Sequence, residues 1–273
     1  MPVRERHFLF AQDGGDAALT RLIATAHAAT GFMKGAPGAA PRGWHQLGRD
    51  NGAFLRTLQQ KLMASYPAAG MPFYAVRLWT NLIWQPAYLS VIATHLQGAL
   101  PDLSGIAQAQ RGIYVDDYRL QPGPQHRDHT EALIGRAGPA LRLYADRVLE
   151  EIQTIMPLKE RFAHYLLAER MLSLMVRLRH FRPMLGVTEQ LAFCTLWLDA
   201  MGLDRHGQLD VVTLPQGGEA VIVARKGCCL DYRAMPGTLC ASCPKQDKTV
   251  RTARQRDNAS AELSMQSDPV GTA

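Results

Sequence analysis

The stretch Leu209-Asp-Val-Val-Thr-Leu-Pro215, Gln216-Gly-Gly218, Glu219-Ala-Val-Ile-Val-Ala-Arg225 decides the fold class. Apolar and β-branched residues flank a Gly-Gly pair, the pattern of a β-hairpin with its turn at Gln216-Gly-Gly218. The hairpin runs straight into Arg225-Lys-Gly-Cys228-Cys229-Leu-Asp-Tyr-Arg233 and on to Cys240-Ala-Ser-Cys243-Pro244. Upstream of Gly202 the character is helical. Asp16 to Thr30 is rich in Ala and Leu, and Phe54, Leu55, Leu58, Leu62 and Met63 lie on one helical face. Phe73 to Gly98 reads as an apolar helix, kinked or split at Pro86. Ile134, Ala137, Leu141, Tyr144, Val148 and Ile152 recur at helical spacing, with an interruption or kink expected at Gly138-Pro139. Further helices are expected from Pro157 to about His180 and from Thr188 to Met201. Gly35 to Gly43 reads as a loop by its Gly and Pro content, and Gly112 to Leu120 as a strand. The expected fold is α+β, predominantly helical, with a small antiparallel hairpin leading into a cysteine-bearing loop.

Three segments follow: a mainly helical domain over 1–205, the hairpin and cysteine segment over 206–245, and a tail over 246–273. The tail has few large apolar residues and no period, so it is expected to be disordered. The chain has 273 residues, 47% of them hydrophobic, which is enough for a packed core and excludes disorder of the whole. Thirty Lys and Arg stand against 24 Asp and Glu, a net charge of +6. That balance favours anionic partners. Nucleic acid is not expected among them, because no stretch combines dense cations with interleaved aromatics.

The first residues lack the long apolar run of a signal peptide. Phe73 to Leu100, the most apolar segment, carries Arg77, Asn81, Gln85, Pro86, His95 and Gln97, and reads as buried helix and not as a membrane span. A cytoplasmic chain is expected, where thiols stay reduced and closely spaced cysteines serve metal or redox chemistry.

Four of the five cysteines, Cys228, Cys229, Cys240 and Cys243, fall within 16 residues in the pattern Cys-Cys-x10-Cys-x2-Cys. Several chemistries fit. Structural zinc takes four thiolates as two chelating pairs, and Cys240-x-x-Cys243 has that form. The adjacent Cys228 and Cys229, with Cα atoms about 3.8 Å apart, do not. A redox disulfide is conceivable, but no thioredoxin-like βαβ unit surrounds the motif. A [2Fe–2S] cluster needs two thiolates on each of two adjacent irons, which a tight turn with neighbouring cysteines can feed. Four buried structural thiols would be odd in so polar a segment. The last histidine is His206, so no local Rieske-type ligand is present and all-thiolate ligation is favoured. Such a cluster has a low potential, about −400 mV in plant-type ferredoxins.

The motif, with Tyr232 and Pro244 beside it, resembles the carboxy-terminal signature of the FhuF-like ferric siderophore reductases. The resemblance covers about 20 residues, together with its position after a long helical region. It implies a [2Fe–2S] cluster on Cys228, Cys229, Cys240 and Cys243. It also implies a cytoplasmic oxidoreductase that reduces siderophore-bound iron(III) by one electron. The hard oxygen donors of siderophores grip Fe(III) tightly and Fe(II) weakly, so reduction releases the metal. A non-enzymatic iron–sulfur electron carrier or sensor, and a structural zinc protein, are the alternatives.

Other candidates carry less. Cys194, in Leu191-Ala-Phe-Cys-Thr-Leu-Trp-Leu198, reads as a core thiol, with a fifth ligand as the sharper alternative. His126 and His129 could share a helical face as metal ligands, or simply be exposed polar residues at a helix start. Trp79, Asn81, Trp84 and Gln85 read as core packing, or else as a substrate pocket. Arg225, Lys226 and Arg233 flank the cysteines and could guide an anionic substrate, raise a cluster's potential, or simply be solvated charges. No dinucleotide fingerprint, phosphate-binding loop, zinc-protease helix or nucleophile elbow occurs in the sequence. Electrons are therefore expected from an external donor: a ferredoxin, a flavoprotein or a small reductant. Transient association with a membrane is compatible with the sequence.

Overall fold

The computed structural model describes residues 16–267. The expectations for residues 1–15 and 268–273 lie outside them. In chain order the elements are α1 (Asp16–Thr30), β1 (Lys34–Pro37), β2 (His45–Gln46), α2 (Gly52–Ser65) and α3 (Met71–Ile92). Then come β3 (Ala99–Leu100), β4 (Ala107–Arg111), β5 (Tyr114–Leu120), β6 (His126–Arg127), α4 (Thr130–Gln153) and α5 (Glu160–Arg177). The described chain ends with α6 (Val187–Ala200), β7 (Leu209–Thr213), β8 (Glu219–Val223) and α7 (Lys248–Ser267). The fold is α+β and predominantly helical.

Helix α3 forms the centre. Phe73, Leu78, Trp79, Leu82, Ile83, Ala87 and Leu89 are all fully buried, and α4, α5, α1 and α2 pack round it. The break expected at Pro86 does not occur: α3 runs through it. Proline has no N–H for the Leu82 carbonyl four residues back. The Nε2 of Gln108, on β4, donates to that carbonyl at 3.0 Å. The same Nε2 donates to Gln85 Oε1 at 2.8 Å, and Tyr144 Oη donates to Gln108 Oε1 at 2.8 Å. A buried polar network from three elements thus replaces the missing helical bond. A π-helical turn, Ala93–Gln97, ends the helix.

Helix α4 is also continuous through the expected break at Gly138-Pro139. Gly138 is a packing residue: a Cβ there would lie 2.5 Å from the Ala200 Cβ on α6, so only glycine permits this approach. The two helices meet at that point.

A four-stranded sheet of order β1-β5-β4-β2 lies against α3. β4 and β5 form an antiparallel hairpin, whereas β1 runs parallel to β5 with Lys34 opposite Asp117. β1 therefore occupies part of the segment expected to be loop. Asn81 Nδ2 donates to the Ile113 carbonyl and Trp84 Nε1 to the Val115 carbonyl, tying α3 to this hairpin. β3 and β6 form a two-stranded pair of their own.

The β7–β8 hairpin forms as expected, with Leu209 opposite Val223 and Thr213 opposite Glu219. Ala220, Val221, Ile222 and Val223 are buried, and β8 packs on α5 and α6. The expectation for the tail is corrected, because Lys248–Ser267 is helical. Asp247 caps α7, its Oδ1 accepting the N–H groups of Thr249 at 2.8 Å and Val250 at 3.4 Å. The helix lies against the β7–β8 hairpin, where Ser260 Oγ donates to Gln216 Oε1 at 2.7 Å. A tail with a weak pattern becomes a helix because it has a surface to lie on.

Among the described residues, no helix is long and apolar enough to cross a membrane.

Candidate metal centre

The segment from Arg225 to Gln246 has little regular structure, a single 3-10 turn at Asp231–Arg233. Polar tethers hold it. Glu169, on α5 and only 3% exposed, is the principal one. Its Oε2 accepts Arg225 Nε at 2.9 Å, and its Oε1 accepts the backbone N–H groups of Lys226 at 2.6 Å and Gly227 at 2.5 Å. One buried carboxylate thus fixes the three residues that precede Cys228. A Cβ on Gly227 would lie 3.2 Å from the Tyr165 Cβ, so glycine lets the loop come this close to α5.

Burial alone would depress the ionisation of Arg225; the Glu169 carboxylate outweighs it and holds the guanidinium firmly charged. Further along, Arg233 Nη1 donates to the Ala69 carbonyl at 3.1 Å, and Arg77 pairs with Asp231 at 3.2 Å. At the far end, Gln246 Nε2 donates to the Cys240 carbonyl at 2.7 Å, and Arg254 Nη1 donates to Gln246 Oε1. Arg251 Nη1 donates to the Arg225 carbonyl at 3.3 Å. Helix α7 therefore clamps both ends of the loop.

All four expected residues meet in this loop, as free thiols. They meet as two pairs. Cys228 Sγ lies 3.9 Å from Cys243 Sγ, which leaves Cys229 and Cys240 as a second, electrostatically linked pair. Cys228 and Cys243 are buried, at 9% and 2% exposure. Cys229 is half-buried and Cys240 is exposed. Among the described residues, no three His, Cys, Asp or Glu side chains are gathered as a single metal ion would need.

The backbone bends sharply between the pairs. Leu230, directly after Cys229, has φ of 62°, and among the described residues it is the one non-glycine residue with positive φ. That left-handed turn is unfavourable for a leucine. It aims successive N–H groups at sulfur: Leu230 donates to Cys228 and Asp231 to Cys229. Arg225 Nη1 lies 3.6 Å from Cys240 Sγ and supplies a charged donor.

The thiols respond to these surroundings. Burial and the adjacent Cys243 push Cys228 up to about 11, against the pull of the Leu230 N–H. Cys229 is drawn down to about 6, first by the hydrogen bond from Cys240, then by the Asp231 N–H and Arg225, against the opposing effect of burial. Cys240 is pushed up as the proton-bearing member of that pair. Charge on one of these thiols thus disfavours charge on its neighbours.

The other candidates fall elsewhere. Cys194 is buried in α6, and burial pushes its thiol up to about 12, as for a core thiol. His126 and His129 do not share a helical face. His126 lies on β6, His129 precedes α4, and both face Asp128, at 3.5 and 2.7 Å. Trp79 is fully buried and Gln85 is in the buried network, whereas Asn81 and Trp84 are half-buried and tie α3 to the β4–β5 hairpin. Lys226 Nζ donates to the Arg205 carbonyl at 2.9 Å. Glu169 carried a signal in sequence that went unread: a lone carboxylate in Leu166-Leu-Ala-Glu-Arg-Met-Leu172, on the apolar side of its helix. Gln246 and Arg251 carried none.

A groove of about 600 Å³ adjoins the cysteine loop. Leu230, Met71, Pro72, Val76 and Phe162 form its apolar wall, with Lys159 as its cation. Its volume lies in the range of small-molecule sites.

No protein-family model matches this chain, and no solved structure matches it.

Proposed function

We propose that the chain holds a [2Fe–2S] cluster on Cys228, Cys229, Cys240 and Cys243 and reduces siderophore-bound iron(III) by one electron, as the FhuF-like reductases do. The observation that carries the reading is the pairing of the thiols. A close Cys228–Cys243 pair, with Cys229 and Cys240 linked to each other and Cys240 facing a guanidinium, suits two irons with two thiolates each better than one closed tetrahedron. Bound there, the cluster supplies a single low-potential electron. The residues of the chain do the rest. Glu169 fixes the loop entrance, the Leu230 turn directs N–H groups at sulfur, and Arg225 offsets thiolate charge. The groove beside Leu230 gives a ferric chelate a place close to Cys229. The electron comes from an external donor, and the setting is the cytoplasm.

The test is the iron, zinc and acid-labile sulfide content of anaerobically purified protein, with EPR after dithionite reduction. About two irons, two sulfides and a spin-half signal are expected, with reoxidation by a ferric siderophore. Cys228→Ser, Cys229→Ser, Cys240→Ser and Cys243→Ser should each lose or destabilise the centre, and Cys194→Ser should keep it. One zinc per chain without sulfide would overturn the reading. A two-iron cluster that no ferric chelate reoxidises would leave an electron carrier.

A further inference from the structure

The two thiol pairs are not equivalent, and the difference predicts which iron takes the electron. The inference rests on the cluster proposed above. We propose that Cys228 and Cys243 ligate one iron and Cys229 and Cys240 the other, and that the latter iron is the one reduced.

The pairing follows from the sulfur contacts. Each pair takes one cysteine from Cys228-Cys229 and one from Cys240-x-x-Cys243, so neither iron is chelated by one motif alone. Cys228 and Cys229 therefore belong to different pairs although they are adjacent in the chain.

The localisation follows from charge, hydrogen bonding and exposure. Reduction adds one electron and no proton, so one Fe(III) becomes Fe(II) and the site gains a full negative charge. That charge settles where donors and solvent stabilise it best. Cys229 receives the Asp231 N–H, and Cys240 receives the Arg225 guanidinium at 3.6 Å. Both nearby carboxylates are paired, Asp231 with Arg77 at 3.2 Å and Glu169 with Arg225 at 2.9 Å, so Arg225 acts on Cys240 chiefly as a hydrogen-bond donor. Cys228 receives one neutral donor, the Leu230 N–H, and its partner Cys243 is almost fully buried. Burial without charged donors disfavours added negative charge. The electron therefore sits on the exposed side of the loop, where a redox partner can reach it.

The test uses the full chain, loaded with cluster and reduced by dithionite. Paramagnetic NMR separates cysteines on ferrous iron from those on ferric iron. In the coupled mixed-valence pair their Cβ protons shift in opposite senses with temperature. Sequential 13C-detected correlations assign each cysteine without mutation. Ferrous-type behaviour at Cys229 and Cys240, and ferric-type at Cys228 and Cys243, is the expected result. The reverse assignment overturns the localisation. A ferrous pair that joins Cys228 with Cys229, or Cys240 with Cys243, overturns the pairing. Absence of labile sulfide overturns the cluster itself and the proposed function with it. An independent measurement is the midpoint potential of Arg225→Gln, which should fall while two irons per chain are retained. An unchanged potential with the cluster intact would remove the charge argument.

Discussion

The helical body and the cysteine loop are held together by opposite means. Round α3 the structure is closed by apolar side chains such as Phe73, Trp79, Leu82 and Trp197, all fully buried. Each such side chain contributes roughly 1.5–3 kcal/mol by leaving water. From Arg225 to Gln246 the chain has almost no regular structure, and its order comes from a few polar tethers. Polar tethers give little net stability, about 0.5–1.5 kcal/mol each. A loop built this way, with crowded thiols, is positioned by the protein but is not closed by it. The contrast separates a body closed by apolar packing from a cysteine loop at its margin held by polar tethers.

The largest effect is expected where the two regions join. Glu169 is buried in the body, yet its oxygens hold the loop. Glu169→Ala leaves the Arg225 guanidinium and two backbone N–H groups without their acceptor. Removing one partner of a buried ion pair costs about 3–5 kcal/mol. The expected outcome is a loss of this size in chemical unfolding, together with poor retention of iron. If Glu169→Ala kept both stability and metal, the loop would be ordered by something other than this anchor.

The next effect belongs to the body alone. His95 is buried at the end of α3, and its Nε2 accepts the Trp197 indole N–H at 2.9 Å. Burial, aided by the positive Arg182, lowers it from 6.5 to about 3. The imidazole is neutral in the fold, whereas in the unfolded chain it takes up a proton below about 6.5. Its contribution is therefore complete above pH 6.5 and is lost progressively as pH falls toward 3. At pH 5 the loss amounts to about 2 kcal/mol. His95→Gln keeps an acceptor for Trp197 and should flatten the fall in stability between pH 7 and pH 5. An unchanged pH profile in this variant would place the acid sensitivity elsewhere, the cysteine loop included.

Legibility in sequence divided along the same line. The four cysteines and the β7–β8 hairpin were plain, because spacing and alternation are local signals. The helices were found, but their continuity was not. Pro86 and Gly138-Pro139 read as breaks, since Gln108, which supplies the bond missing at Pro86, and Ala200, which packs on Gly138, lie far along the chain. β1 was hidden in a Gly- and Pro-containing stretch because its partner is β5, some 80 residues away. α7 was hidden because its weak pattern gains support only from the hairpin beneath it. In the loop, the cysteines are visible in the sequence but not their grouping. Which thiol meets which depends on the turn at Leu230, and nothing in Cys-Cys-Leu-Asp specifies a left-handed residue.

That turn gives the smallest and most local prediction. Leu230 pays for its positive φ with strain of about 1–2 kcal/mol, and part of its side chain packs on the core. Leu230→Ala removes the packing and keeps the strain. Leu230→Gly removes the packing and the strain together. At ordinary positions alanine is the more stable of the two, because glycine adds entropy to the unfolded chain. Here the order should reverse, with Leu230→Gly more stable than Leu230→Ala by about 1 kcal/mol in chemical unfolding. The variants also divide the two functions of the residue. Leu230→Gly preserves the N–H groups aimed at Cys228 and Cys229, so its metal content should match the parent protein. Were alanine the more stable, the turn would not be left-handed in solution. The sulfurs would then lose the backbone donors that distinguish this loop from an ordinary surface connection.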